Sequence, residues 1–179
     1  MKPGTEHYPR RPTLRGDRYP QPLELRRIQH IGISVRDLDR TLAFWEAFLG
    51  TPARWRRVLD AGYLGRVTGY AGVRIEAALI DLPGGMALEI LGYLMDGRTP
   101  NPPDTANPGN VHFCIEVDDA DKMWERAVAA GAEARSPGPV DITEGPNAGA
   151  RSCYLRDPDG ITFELYQPKP STPAPAAPE

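Results

Sequence analysis

Cysteine and histidine are scarce in this chain, two and three among 179 residues, and no apolar run approaches the eighteen or so that a spanning helix requires. Two cysteines fit reduced thiols better than a disulfide framework. Cys114 and Cys153 both sit inside apolar, strand-like runs and read as reduced thiols of a cytosolic protein. The N-terminus lacks the apolar stretch of a secretory signal. A clustered basic face is also missing beyond the arginines of the first 27 residues, and the formal charge is -3 with a pI near 5.7. Nucleic acid therefore has no electrostatic footprint to follow. These gaps predict a soluble, cytoplasmic protein with neither a membrane nor a nucleic-acid partner.

What is present fits one domain flanked by two appendages. Residues 1–25 are rich in Pro, Arg and Tyr without hydrophobic period, and read as an arm that cannot bury a core. Residues 169–179 form a Pro/Ala tail that favours extended, polyproline-like chain. The domain is expected over 26–168.

Inside that domain the chain repeats itself. HIGISVRDLDRTLAFWEAFLG runs from His30 to Gly50, and HFCIEVDDADKMWERAVAAG from His112 to Gly131. Each copy opens with His in a short apolar strand, passes an Asp-rich turn, continues with apolar residues at helical spacing and stops at Gly. A turn and strand follow in each, DLPGGMALEIL from Asp81 and DPDGITFELY from Asp157, with Glu89 and Glu164 four residues after a Gly. Further strands are expected near Ala53–Leu59, Val73–Leu82 and Arg151–Arg156. Module one then spans about 27–95 and module two about 109–167. The fold class predicted is α+β: paired βαβββ modules forming a curved mixed sheet around a metal-binding cleft.

Strand alternation places the chemistry. His30 shares a face with Gly32 and Ser34, and His112 with Cys114. Leu88 and Ile90 flank Glu89, while Phe163 and Leu165 flank Glu164, so all four polar residues point away from the helix-packed layer. Two imidazoles and two carboxylates in repeat register suit one divalent ion per chain, Zn, Ni, Co, Mn or Fe(II), with positions left open for water or substrate. The third histidine, His7, belongs to the arm.

With IQHIGISVRDLDRTLAFWEAFLG, LEIL, VHFCIEVDD and YLRDPDGITFELYQP in view, the chain resembles the vicinal-oxygen-chelate superfamily from about Arg27 to Gln167. That superfamily includes glyoxalase I, methylmalonyl-CoA epimerase, fosfomycin-resistance proteins and extradiol dioxygenases. The resemblance implies a metal held by His30, Glu89, His112 and Glu164, and proton transfer next to a metal-bound carbonyl. It implies Glu164 as the first choice of catalytic base, with Glu89 opposite as a second that would permit epimerisation. Substrates consistent with it are small molecules, acyl-CoA thioesters or cyclitols. Glutathione-dependent glyoxalase I lyases typically carry Asn after the fourth-strand Glu, whereas Ile90 follows Glu89 here. An Fe(II) dioxygenase would leave three metal positions open, and a non-catalytic, antibiotic-binding member would need no ligand set. The resemblance and the module size also imply a homodimer.

Arg74 and Glu76 are expected to share a strand face and to meet an anionic or hydroxylated substrate. Tyr63, Tyr70 and the Pro-containing segment from Asp96 to Asn110 are candidates for a lid. Trp45 and Trp124, one on each repeat helix, read as core.

Overall fold

The computed structural model describes residues 26–170. The arm of residues 1–25, with His7, and residues 171–179 of the tail lie outside the described residues. Module one contains β1 (His30–Ser34), α1 (Leu38–Leu49), β2 (Trp55–Leu59), α2 (Leu64–Thr68), β3 (Ile75–Asp81) and β4 (Ala87–Tyr93). Module two contains β5 (Phe113–Glu116), α3 (Ala120–Ala130), β6 (Glu133–Ala134), β7 (Val140–Asp141), β8 (Arg151–Arg156) and β9 (Thr162–Gln167).

The repeat seen in the residues is a repeat of structure. Asp37 and Asp119 cap α1 and α3, accepting from the Arg40 and Lys122 backbone N–H groups, and Gly50 and Gly131 end these helices at φ 71° and 110°. Only glycine takes that backbone region freely, which is why each helix stops there. In both modules the first strand runs parallel to the last, β1 with β4 and β5 with β9. The two mixed sheets, A and B, have strand orders β1-β4-β3-β2 and β5-β9-β8-β6 respectively, with β7 also paired to β8 in sheet B.

Two features differ from the expected pattern. A short helix, α2, stands between β2 and β3, and the second strand of module two is divided into the two-residue β6 and β7. Both are too short to carry a hydrophobic period.

One core serves both sheets. Ile33, Val35, Ala78, Ile80, Leu88 and Ile90 of sheet A share it with Cys153, Leu155, Phe163 and Leu165 of sheet B. Phe44, Trp45 and Phe48 of α1 close around Phe163, with ring centroids 6.1, 5.1 and 5.3 Å away. Burying side chains of this size contributes roughly 1.5–3 kcal/mol each. Trp45 is fully buried, as expected of a core residue, and its Nε1–H donates to Asp157 Oδ2 at 3.2 Å. Trp124 packs partly buried against the same cluster. Polar clasps join the modules as well: the Arg36 N–H donates to Asp159, Arg40 Nη2 to the Pro158 carbonyl, and Arg126 to the Ala47 carbonyl.

Candidate metal centre

The strand ladders fix which side chains meet. In sheet A, Gly32 pairs with Glu89, Glu89 with Leu79, and Leu79 with Trp55, so these four form one row on one face. His30 lies one row away on that face. In sheet B, Cys114, Glu164 and Tyr154 form the equivalent row, with His112 just before β5. Leu88, Ile90, Phe163 and Leu165 are fully buried on the opposite faces, while Glu89 and Glu164 keep 20% and 18% of their side chains exposed. Each carboxylate therefore points away from the common core.

Each histidine is brought to the glutamate of its own module. His30 Nε2 lies 3.4 Å from Glu89 Oε2, and His112 Nε2 lies 3.4 Å from Glu164 Oε2. Two ligand atoms about 2.1 Å from one tetrahedral ion stand about 3.4 Å apart, so both pairs fit adjacent positions around a divalent metal. Among the described residues no group of three or more His, Cys, Asp or Glu converges for an ion. Within one chain the quartet is thus two His–Glu pairs, one per sheet.

The pairs are supported differently. His30 Nδ1 is within hydrogen-bonding distance of Gln29 Oε1, an acceptor that suits a proton on Nδ1, and Nε2 is left facing Glu89. His112 Nε2 is 3.2 Å from the Tyr154 hydroxyl, with the rings 4.8 Å apart, and the Ser152 hydroxyl donates to Glu164 Oε1. Burial, reinforced by the Glu164 charge, raises the Tyr154 phenol above its ordinary value and pushes the Cys114 thiol to about 11. Both stay protonated near neutrality. Gln29, Ser152 and Tyr154 were missed by sequence reasoning. The signal for Tyr154 and Ser152 was their strand parity, which becomes useful only once β8 is known to lie beside β9.

Other expected site residues fall elsewhere. Glu76 lies on the helix side of β3, where it pairs with Arg56, which also reaches Asp39 of α1. Arg74 precedes β3 and is exposed, its carbonyl accepting from the Leu94 N–H. Neither joins the His30–Glu89 face. The 96–110 segment is fastened down, with Arg98 Nη1 donating to the Val35 carbonyl and the buried Arg156 donating to Asp104. It lines, with Tyr70, a cavity of about 950 Å³ beside the free edge of β1. None of the four ligand-type residues lines that cavity. Tyr63 stands exposed at the start of α2. Cys114 and Cys153 are both free thiols.

A family model described as the glyoxalase/bleomycin resistance protein/dioxygenase superfamily matches residues 27–165. The chain belongs to this superfamily. A lactoylglutathione lyase of Arabidopsis thaliana is 30% identical over 152 residues, 84% of this chain and 47% of that protein. A 2-epi-5-epi-valiolone epimerase of an Actinomyces species is 29% identical over 143 residues, 77% of each. The chain therefore spans about half the length of the plant lyase it matches. A crystal structure of a glyoxalase family protein from Bacillus cereus superposes with a TM-score of 0.71 at 24% identity, covering 85% of this chain and all of that one. The superfamily architecture of two mixed sheets with few helices is the one described above. Among the described residues no helix is long and apolar enough to cross a membrane.

Proposed function

We propose that this chain is a divalent-metal-dependent enzyme that moves a proton at a carbon next to a carbonyl, as an epimerase or isomerase of a small molecule, an acyl-CoA or a cyclitol. The observation that carries this reading is the duplicated His–Glu pair, each 3.4 Å apart on the face turned from the core. A bound divalent ion would supply Lewis acidity that makes such a proton removable near neutral pH. Glu164 takes the proton: Ser152 holds one of its oxygens, and the other faces His112. Glu89, on an apolar row, serves the opposite side of the substrate. A glyoxalase I-type lyase would use the same transfer, and similarity to a protein named lactoylglutathione lyase favours it as the second reading.

On this reading the quartet closes between two copies of the chain, His30 and Glu89 of one with His112 and Glu164 of the other, keeping one ion per chain. The separation of the two pairs within one chain supports this. Metal analysis and mixing test it together. Protein purified without chelators should hold about one ion per chain, and no ion after titration with Ni, Co, Zn, Mn and Fe(II) would sink the reading. His30→Ala and His112→Ala, each empty alone, should regain about a quarter of wild-type sites when mixed and exchanged, because half of the dimers then hold one intact site. No regain would place all four ligands in one chain.

A further inference from the structure

On the side of sheet A that carries His30 and Glu89, the rows continue beyond this pair into an apolar cluster that is partly open to solvent. Ile75, Ala77 and Leu64 of α2 are buried in it, with Leu79 buried in the row of Glu89, while Trp55, Leu59, Leu91 and Tyr93 are partly exposed along it. At the margin stands Arg57, its guanidinium carbon 4.3 Å from the centroid of the Trp55 ring. Alternation along β2 puts Trp55, Arg57 and Leu59 on the side of Glu89, and Arg56 on the side of α1.

The arginines of this stretch differ in partners. Arg54 pairs with Asp81, and Arg56 pairs with Glu76 and Asp39. Arg57 makes no ion pair among the described residues. Stacked on an indole, a guanidinium keeps its in-plane N–H groups free and oriented, the arrangement that recognises a planar carboxylate or a phosphate by two parallel hydrogen bonds. With strands about 4.8 Å apart, Trp55 lies about 10 Å from Glu89, and Arg57 one row further on, about 12 Å.

We propose that Arg57, held by Trp55, is an oxyanion subsite that takes a carboxylate or phosphate carried by the substrate about 10–12 Å from its reacting carbon, with an apolar stretch between. This rests on the reading that substrate occupies the His30–Glu89 face. The test uses metal-free full chain, so failure of the metal reading leaves its readout intact. The probes are 4-phenylbutyrate, phenyl phosphate and the uncharged 4-phenylbutyramide, titrated by indole fluorescence and calorimetry.

At least one anion should bind about tenfold tighter than the amide, and whichever anion wins names the group the substrate carries. Arg57→Gln should erase that advantage, and Arg54→Gln, which loses only an exposed pair with Asp81, should keep it. The proposal is overturned by absence of saturable anion binding, by equal binding of amide and anions, by an undiminished advantage in Arg57→Gln, or by an equal loss in Arg54→Gln.

Discussion

The two modules share a backbone plan but line their outward faces with opposite chemistry. Beside Glu89 the ladder sets Gly32 and Leu79; beside Glu164 it sets Cys114 and Tyr154. Where module one has Ala77 opposite Leu91, module two has Ser152 opposite Tyr166. Duplication supplies two equivalent His–Glu pairs, and the neighbouring strand decides what surrounds each. One half offers an apolar wall, the other a set of hydroxyl and thiol donors around a carboxylate. A substrate held between such halves meets unlike surfaces on its two sides.

The largest effect should come from exchanging the two carboxylates for amides, since Gln retains a ligand oxygen but cannot take a proton. Glu164→Gln is expected to slow exchange of the substrate α-hydrogen with solvent deuterium by about a thousandfold, and Glu89→Gln by about tenfold. Deuterium incorporation followed by NMR, with metal content measured alongside, checks both. Equal losses would mean that the difference in surroundings does not divide the chemistry.

The turns before the glutamate strands extend the contrast. Asp81 of module one is half exposed and paired with Arg54, whereas Asp157 is buried and accepts from Trp45 Nε1 and from the Asp159 and Ile161 N–H groups. Burial outweighs those donors and raises the Asp157 carboxyl to about 6. A carboxyl raised in the folded state favours folding in its neutral form. Its contribution is therefore full below about pH 4 and lost as pH rises through about 6, some 3 kcal/mol at most. Urea unfolding from pH 4 to 7 should show this loss in the wild type and a flatter profile in Asp157→Asn. Asp81→Asn removes only a surface pair, worth about 0–1 kcal/mol. A parallel profile for wild type and Asp157→Asn would place the burial cost elsewhere.

Much of this frame is legible in the residues. The caps at Asp37 and Asp119, the stops at Gly50 and Gly131, and the apolar neighbours of Glu89 and Glu164 are local signals, and periods of 2 and 3.6 locate the faces. What escapes is what depends on neighbours across the ladder. Glu76 reads as a site residue until β2 brings Arg56 beside it, and Tyr154 reads as one strand aromatic among several until β9 places Glu164 opposite. α2 covers five residues, LGRVT, too few for a helical period to show. The separation of the two His–Glu pairs is a tertiary fact that four ligand-type residues in repeat register do not contain.

The smallest effect separates the ways in which the two histidines are aimed. Gln29 holds His30 through the nitrogen that does not face Glu89, so Gln29→Ala frees both the ring and its tautomer and should weaken metal binding about tenfold, read by competition with a fluorescent chelator. Tyr154 approaches His112 at the very nitrogen that faces Glu164. A metal on that nitrogen displaces the hydroxyl contact, so Tyr154→Phe, which keeps the tilted ring beside the imidazole, should change affinity by less than Gln29→Ala does. A larger loss in Tyr154→Phe would show that the hydroxyl orients the imidazole even with the ion bound, and the donor-rich half would then be built for holding metal rather than for moving protons.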